Sequence, residues 1–170
     1  PLTPYDVDKL SAEYHLKSYN KLFEVPHVIC RLATVYGERQ GHSEGWKPVV
    51  VEFIKRIKKR ERPIIYGSGK QTRDFVYVKD VANALATAMY SDIENETMII
   101  STNKETAIID LYNYLRELMH ENDLDPVYEP EKKGDIMRMR YNNSKAKRLL
   151  NWHPHELREC LKNTIEKGEF

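Results

Sequence analysis

Tyr5 and Lys9, close to the start of the chain, have the residue types and the spacing needed for proton transfer. The segment PYDVDK places them four residues apart, so on a helix both side chains lie on one face. An ammonium group beside a phenol favours the phenolate, which can accept a proton from a hydroxyl group as a general base. Tyrosine and lysine at this spacing also occur by chance in many helices, so the pair alone does not predict an enzyme.

Cations that could bind a phosphate group occur in two later segments. Arg73 lies in TRDF, and the planar fork of an arginine suits a bidentate contact with an oxyanion. Residues 132–148 carry seven Lys and Arg residues and a single acidic residue, Asp135. Two structural alternatives stay open, because a run of cations is often a solvated face and because Arg73 could form an ion pair with Asp74.

Composition limits the classes of function. The chain has 170 residues, of which 41% are hydrophobic and 31% charged, as expected for one globular domain. Its formal net charge of +1 gives no electrostatic case for binding a nucleic acid or a membrane surface. No apolar run approaches the roughly 18 residues of a membrane span. We therefore expect a cytoplasmic protein.

The thiols and imidazoles show no metal-binding pattern. Cys30 and Cys160 are far apart, and the six histidines form neither an HExxH motif nor a zinc spacing. We predict that the cysteines are free, buried thiols in a reducing compartment. The basic run Lys55–Arg62 is explained as the cationic end of a helix, which complements the negative end of the helix dipole. We expect neither a bound metal nor a nucleic-acid partner.

Hydrophobic periodicity and helix punctuation predict alternating helices and strands. Helices are predicted from Pro48 onward and over Pro4–Phe23, Val81–Tyr90, Ile108–His120, Ser144–Leu150 and His155–Lys167. Strands are predicted over His27–Ala33, Pro63–Tyr66, Phe75–Val78, Thr97–Ser101 and Val127–Glu129. Asp80 is the predicted N-cap of the third helix, and Gly37–Gly45 is a predicted loop. The alternation indicates an α/β fold.

Several sequence blocks follow the Tyr5–Lys9 pair in a defined order. They are RLATVYGERQ at 31–40, YGSGKQTRDFVYVKDVA at 66–82, KGD at 133–135 and SKAKRLLNWHP at 144–154. In this order and spacing they resemble the extended short-chain dehydrogenase/reductase family that acts on nucleotide sugars, most closely the UDP-glucose 4-epimerase group. The resemblance runs from Tyr5 to the last helix and implies the carboxy-terminal half of such an enzyme.

The resemblance implies two parts of an α/β enzyme. Residues 1–45 would be the end of an NAD-binding Rossmann domain, including the helix that carries Tyr5 and Lys9. Residues 46–170 would form mainly the smaller α/β domain that binds the nucleotide sugar, with some elements returning to the Rossmann sheet. The glycine-rich dinucleotide fingerprint and the catalytic Ser or Thr of the family are not in these 170 residues. We therefore expect the chain alone to hold no NAD and to be inactive.

The resemblance also implies roles in catalysis and in NAD binding. Tyr5 matches the catalytic acid/base, which takes the proton from a sugar hydroxyl while the hydride on the same carbon leaves for the nicotinamide. Lys9 matches the lysine that holds the nicotinamide ribose and favours the phenolate. Leu32 falls where a residue lines the nicotinamide pocket. These three residues are the expected NAD contacts, with the cofactor bound mainly by the amino-terminal half.

Four residues match positions that bind the nucleotide sugar in the family. Arg73 matches an arginine that grips the diphosphate, and Asp135 an aspartate that contacts the nucleotide. Lys132 stands where a second diphosphate arginine is usual, and Thr34 stands where an asparagine is usual. A lysine lacks the planar fork of arginine, and a threonine hydroxyl offers a single donor. Asn142 also replaces a frequent aspartate.

The implied function is the NAD-dependent epimerisation of a UDP-hexose, by transient oxidation at C4 and non-stereospecific return of the hydride. A 4,6-dehydratase or a decarboxylase on the same scaffold is the alternative among enzymes, because the family places the acid/base residues of those reactions upstream. An inactive nucleotide-sugar-binding or assembly module is the alternative from another class, and Thr34 and Lys132 are the residues that favour it.

The predicted first strand is expected to present an apolar edge. Parallel strands are buried on both faces, so Val28, Ile29, Cys30 and Leu32 are predicted to lack partners within the chain. We expect the partner to be the amino-terminal half or a second copy of the chain. The first ~35 residues alone are then expected to be oligomeric or poorly folded, whereas the region from Pro63 onward is more self-contained.

Overall fold

The computed structural model describes residues 3–41 and 47–168, which form six helices and eight strands. The helices are α1 (Pro4–Phe23), α2 (Val49–Lys58), α3 (Val78–Met89), α4 (Ile108–Leu118), α5 (Ser144–Leu150) and α6 (Leu157–Lys167). The strands are β1 (Val28–Leu32), β2 (Thr34–Tyr36), β3 (Ile64–Tyr66), β4 (Thr72–Arg73), β5 (Phe75–Tyr77), β6 (Glu96–Ile100), β7 (Thr106–Ala107) and β8 (Val127–Glu129). The predicted α/β class is confirmed.

The strands pair two by two. β1 pairs with β6, β2 with β5 and β3 with β8, all in parallel, whereas β4 and β7 are antiparallel. Parallel partners need a crossover connection, which the intervening helices supply. Only Ala33 separates β1 from β2, yet Leu32 lies opposite Ile100 and Thr34 lies opposite Phe75. The chain therefore changes its strand partner at Ala33.

Two apolar clusters form the core. In the first, α2, α4 and α6 contribute Phe53, Leu111 and Leu161, whose side chains are almost completely buried. In the second, Met98 and Ile100 of β6 pack with residues of β5, α3 and α5. The helical members come from apolar stripes that recur every three or four residues. Each fully buried side chain of this size contributes about 1.5–3 kcal/mol.

Helix α1 contributes no residue to either apolar cluster, and none of its residues is buried. Thr3 and Asp6 form a capping box at its start. Glu13 binds Arg31 of β1 through two hydrogen bonds of 2.7 and 2.6 Å. The Arg31 guanidinium holds the pKa of the Glu13 carboxyl below its ordinary value. Large apolar side chains such as Leu22 stay exposed, so charge rather than apolar burial fixes this helix within the chain.

The prediction that β1 side chains lack partners is wrong for three of the four. Ile29 is buried, and Val28 and Cys30 pack against the second apolar cluster. Burial raises the pKa of the Cys30 thiol. Pairing of β1 with β6 inside the chain accounts for this difference. Leu32, at the end of β1, is 46% exposed.

Helix α3 begins earlier than predicted, because β5 runs directly into it. Its N-cap is Tyr77, so the prediction that Asp80 caps this helix is wrong. The buried Asp80 carboxylate accepts a hydrogen bond of 2.9 Å from the backbone N–H of His155 and lies 2.5 Å from its Nδ1. The Asp80 carbonyl accepts a bond of 2.9 Å from Trp152 Nε1. These contacts hold His155 outside the last helix, which begins at Leu157.

Other boundaries follow the sequence more closely. Pro48 is the N-cap of α2, near the predicted start of that helix. The predicted loop Gly37–Gly45 is described as far as Gly41, and its remainder lies outside the described residues, as does the predicted domain boundary between residues 45 and 46. Strands β2, β4 and β7 were not predicted. β2 follows β1 after the single residue Ala33, and β4 and β7 have two residues each, which are too few to show a period of two.

We predict that His155 gives stability a pH dependence. Its hydrogen bond to Asp80, with charge attraction, raises the pKa of the imidazole above its ordinary value of 6.5. The contribution is complete below about pH 6.5 and is lost as pH rises through the raised pKa. Because the side chain is 64% exposed, it should amount to less than about 1 kcal/mol.

Urea unfolding at about pH 5.5 and about pH 8.5 measures this contribution. His155→Gln should lower the free energy of unfolding at the lower pH and change it less at the higher pH. His153→Gln, two residues earlier and also exposed, is the matched control. The same pH dependence in the unsubstituted protein and in His155→Gln would contradict the prediction.

Candidate functional site

A cavity of about 300 Å³ lies between α2, β3 and β4. Thr34, Arg73, Lys132 and Asp135 all line it, although they come from three separate parts of the chain. We call it the Arg73 cavity. These are the four residues that match nucleotide-sugar-binding positions in the sequence, and the structure places them around one space. Ligand sites are typically ~300–1,000 Å³, so the cavity can take part of a ligand of this class.

Arg73 is held by three contacts at the cavity wall. Its Nη2 forms an ion pair with Asp135, and its Nη1 donates hydrogen bonds to the carbonyl oxygens of Thr72 at 2.8 Å and of Ile136 at 2.6 Å. Its side chain is 16% exposed. The alternative ion pair with Asp74 is wrong, because successive residues of an extended chain project to opposite sides. The guanidinium is therefore oriented before any ligand arrives.

The Asp74 carboxylate is completely buried and accepts four hydrogen bonds. Thr102 donates its N–H at 2.8 Å and its hydroxyl at 2.7 Å. Asn103 and Tyr141 donate their N–H groups at 3.1 and 3.2 Å. A carboxylate is tolerated in such a place only when donors surround it. Asp74 thereby fixes the turn after β6, and the segment that ends at Tyr141, against β4.

Lys132 contacts an aromatic ring in the same cavity. Its Nζ lies 4.0 Å from the ring centroid of Tyr66, the last residue of β3. The N–H of Asp135 donates to the Lys132 carbonyl at 3.1 Å, which closes a turn. Gly134 has a φ of +82° in this turn, a conformation that favours glycine. The turn brings Lys132 and Asp135 to one wall of the cavity.

The other cations of residues 132–148 contribute less than their number suggests. Arg138 binds Glu105 at 3.0 and 2.7 Å and lowers the pKa of that carboxyl to about 2. Of the seven cations in this segment, Lys132 is the member that lines the described cavity. Arg138 and Lys145 form ion pairs with Glu105 and Glu96, so the solvated-face alternative applies to only part of the segment. The segment therefore brings fewer cations to the cavity than its charge count predicts.

An open groove of about 1050 Å³ runs between α1 and β1, and we call it the Tyr5 groove. Tyr5, Lys9 and Leu32 line it, together with Tyr141. Lys9 Nζ lies 5.4 Å from the ring centroid of Tyr5, so both side chains lie on one face of α1, as their spacing predicts. Tyr5 is 68% exposed. The groove thus presents a phenol and an ammonium group side by side to solvent.

The cavity and the groove lie on either side of the point where the chain changes its strand partner. Leu32 lines the groove and Thr34 lines the cavity. Between them, the N–H of Ala33 donates to Ile100 O at 3.0 Å, and the N–H of Thr34 donates to Asp74 O at 3.0 Å. Ligands of open α/β sheets bind at the carboxyl ends of strands where the topology changes. A ligand that filled both sites would pass this point.

Two tyrosines line these sites although the sequence analysis did not select them. Tyr66 lines the Arg73 cavity, and an aromatic residue directly before a Gly-Ser-Gly turn is a signal that could have found it. Tyr141 lines the Tyr5 groove. No local pattern marks Tyr141, because its position depends on the bond between its N–H and the distant Asp74.

The polar groups around both sites are hydroxyl, ammonium, guanidinium, carboxylate, carboxamide and thiol groups. Across residues 3–41 and 47–168, no group of three or more His, Cys, Asp or Glu side chains could hold a metal ion. Within the same ranges, no helix has the length and apolar character required to cross a membrane.

Parallel strand pairs with helical crossovers, and two adjoining sites at a change of strand partner, define an α/β protein of the Rossmann-related class. The family model described as the NAD dependent epimerase/dehydratase family matches residues 1–101. The chain belongs to this NAD-dependent epimerase/dehydratase family. The resemblance to extended short-chain dehydrogenases/reductases and the predicted fold, the end of a Rossmann domain with a smaller substrate domain, are confirmed.

Solved structures and curated relatives are similar over nearly the whole chain. The UDP-glucose 4-epimerase of Thermotoga maritima, solved with UDP-glucose, is 36% identical with a TM-score of 0.92, over 98% of this chain and 53% of that one. The UDP-N-acetylglucosamine 4-epimerase of Methanobrevibacter ruminantium M1, in complex with UDP-N-acetylmuramic acid, is 32% identical with a TM-score of 0.91, over the same shares. Human dTDP-D-glucose 4,6-dehydratase is 32% identical over 98% of this chain and 48% of its own length. The chain spans about half the length of the relatives it matches.

We predict that Asp74→Asn lowers the free energy of unfolding by about 2–5 kcal/mol. The amide has one acceptor oxygen for the four donors and no charge. Urea unfolding measures the loss, and hydrogen exchange should show weaker protection of the Thr102, Asn103 and Tyr141 amides. The exposed Asp92→Asn is the matched control and should stay within about 0.5 kcal/mol of the unsubstituted protein. Equal effects of the two substitutions would contradict the prediction.

Proposed function

We propose that the intact protein is an NAD-dependent epimerase of a nucleotide sugar, of the UDP-glucose 4-epimerase kind. The observation that carries the proposal is the arrangement of the sites: the Arg73 cavity, which holds cations, adjoins the Tyr5 groove, which holds a phenol and an ammonium group. The similarity to the T. maritima enzyme, solved with UDP-glucose, supports it. A nucleotide sugar needs both environments, because its diphosphate is anionic and its reacting hydroxyl must lose a proton.

In this proposal the diphosphate lies in the Arg73 cavity. Arg73 donates two parallel hydrogen bonds to a phosphoryl group, as its planar fork allows. Asp135 keeps the guanidinium oriented and contacts the nucleotide. Lys132 supplies a second cation as a point charge, and Thr34 supplies one hydroxyl donor.

The sugar then extends towards the Tyr5 groove. Tyr5 takes the proton from the sugar hydroxyl as a general base and returns it as a general acid. Lys9 favours the phenolate during this transfer and holds the nicotinamide ribose, while Leu32 gives the nicotinamide an apolar wall. The groove, of about 1050 Å³, would present the phenol of Tyr5 and the ammonium group of Lys9 to that half of NAD. NAD, when bound, supplies the reversible hydride transfer at the sugar carbon.

A 4,6-dehydratase or a decarboxylase is the second candidate. The human dTDP-D-glucose 4,6-dehydratase is 32% identical over 174 residues, and the residues described here serve either chemistry. Incubation with UDP-glucose, dTDP-glucose and UDP-glucuronic acid, followed by NMR of the products, separates the three reactions. An inactive binding or assembly module, which Thr34 and Lys132 favour, would bind UDP-sugars without converting any of them.

We propose further properties of the whole protein from the length of its relatives. Residues outside this chain would hold most of the NAD molecule. Residues 1–45 would belong to the Rossmann domain and residues 46–170 mainly to the substrate domain, with some elements returning to the Rossmann sheet, as β6 does when it pairs with β1. The exposed apolar side chains of α1 would pack against that additional part or against a second copy of the chain. The protein would act in the cytoplasm.

We predict that Tyr5→Phe lowers the turnover rate of the intact protein by about 10²–10⁴-fold with little change in substrate affinity. The substitution removes the hydroxyl that transfers the proton and keeps the ring. Tyr14→Phe is a matched control on the same helix, because Lys17 Nζ also lies 5.4 Å from the Tyr14 ring. Full activity of Tyr5→Phe would overturn the assignment.

We predict that UDP binds more tightly than uridine and that the difference shrinks with added salt. Arg73→Ala should weaken UDP binding by about 1.5–3 kcal/mol, as expected for a charge-assisted contact. Isothermal titration calorimetry of both ligands measures this. Lys133→Ala, at an exposed neighbour of the cavity, is the control. Equal affinity for UDP and uridine would show that the cations form a solvated face.

A further inference from the structure

We propose that a groove between the start of β1 and the end of α3 is a docking site for a partner protein. The partner would present a helical segment whose apolar face is flanked by Lys or Arg residues. The groove measures about 470 Å³, and we call it the Met89 groove. Most of the side chains that line it are apolar, and Val28, Leu85 and Met89 are among them. This docking site is independent of the proposed enzyme function.

The Met89 groove extends to the amino end of β1, away from the proposed site of reaction. Val28 and Cys30 line both this groove and the Tyr5 groove, whereas His27 lines only the Met89 groove and Leu32 only the Tyr5 groove. The five residues from His27 to Leu32 span about 16 Å of extended chain. Ligands of open α/β sheets bind at the carboxyl ends of the strands. The position of the Met89 groove therefore favours docking over catalysis.

Helix α3 presents apolar side chains to solvent beside this groove. Leu85, Met89 and Tyr90 are 43%, 68% and 84% exposed. Leu85 and Met89 are four residues apart and lie on one face of the helix, whereas Val81 and Ala84 pack in the second core cluster. Exposed apolar side chains that share a groove mark an interaction site, and methionine adapts its shape to a partner. An amphipathic helix in an apolar groove is a recurring form of such recognition.

Charge at the rim of the groove indicates which partner fits. Glu94 lines the groove, Asp92 lies two residues before it, and both are exposed. Neither carboxylate forms an ion pair with a residue of the described ranges 3–41 and 47–168, whereas the nearby Glu96 binds Lys145 at 2.5 Å. Two unpaired carboxylates attract a cationic segment. They also disfavour a symmetric contact between two copies of the chain, which would bring like charges together.

The turn between α3 and β6 holds these carboxylates in place. The Ser91 hydroxyl donates to the Ala88 carbonyl at 2.9 Å and accepts the N–H of Ile93 at 3.3 Å. The N–H of Asn95 donates to the His27 carbonyl at 2.7 Å, which joins the turn to the start of β1. The rim of the groove is therefore positioned before a partner binds, and a preorganised surface loses less entropy on binding.

Two synthetic helical peptides of equal length test the docking site on the intact protein. One consists of leucine and lysine, and the other has glutamate in place of lysine. The chain has five methionines, whose methyl groups are labelled with ¹³C and observed by NMR. The Leu/Lys peptide should shift the Met89 signal saturably, and less at higher salt. It should not shift the signal of Met137, which is 50% exposed. The Leu/Glu peptide should shift neither signal.

Substitutions separate the apolar contribution of the groove from its charge. Leu85→Gln should weaken binding of the Leu/Lys peptide about five- to tenfold, as expected for one buried apolar side chain. Asp92→Asn and Glu94→Gln should each weaken it about two- to fivefold at low salt and less at high salt. Met137→Gln and Asp110→Asn, at exposed positions outside the groove, are the matched controls.

Several results would each overturn the docking site. Equal shifts of the Met89 signal with both peptides would show an apolar groove that does not select charge. A Met89 signal that changes with protein concentration alone would assign the groove to a second copy of the chain. A signal that neither peptide changes, or equal effects of Leu85→Gln and Met137→Gln, would show that no such segment docks there. None of these readouts measures turnover, so they leave the proposed function unaffected.

Discussion

The buried carboxylate of Asp74 is the group on which the arrangement of both sites depends. Its four donors come from the turn after β6 and from Tyr141. Its own carbonyl accepts the N–H of Thr34, so one residue joins β2, the β6 turn and the segment behind the Arg73 cavity. Because Asp74 is turned into the protein, its neighbour Arg73 is turned into the cavity. The Arg73 side chain is thus oriented by the burial of the residue next to it.

The Arg73 cavity and the Tyr5 groove are stabilised by different kinds of interaction. The Arg73 cavity is built on β4 and on β3 and α2, and buried apolar side chains of β3 and α2 belong to the first core cluster. The Tyr5 groove has one wall on α1, which buries none of its residues and is joined to β1 by the ion pair of Glu13 and Arg31. An ion pair with an exposed partner contributes little free energy, typically below about 1 kcal/mol. Within this chain, the Tyr5 groove is therefore held less firmly than the Arg73 cavity.

Two cations of the Arg73 cavity have different kinds of neighbour: one contacts a carboxylate and the other contacts an aromatic ring. Asp135 forms an ion pair with Arg73 and orients it, and the Nζ of Lys132 lies over the ring of Tyr66. Most cations of the surrounding segment are solvent-facing, and Arg138 is already paired with Glu105. In the proposed function, affinity for a diphosphate would depend on the cations that line this cavity, rather than on the total charge of residues 132–148. This arrangement is consistent with a chain whose formal net charge is only +1.

The sequence by itself determined the local features: the α/β class, the bounds of α1 and the common face of Tyr5 and Lys9. These features depend on spacing and residue type, which a periodic pattern records. Its resemblance to a family also indicated four of the residues that line the Arg73 cavity. Only the tertiary structure decided which groups pair. Arg73 forms its ion pair with Asp135 rather than with Asp74. Asp80 contacts His155 instead of capping α3. The ammonium group of Lys132 lies over the ring of Tyr66. The donors to Asp74 lie 28 to 67 residues away in the chain, and contacts between such distant residues leave no periodic trace, because folding alone brings them together.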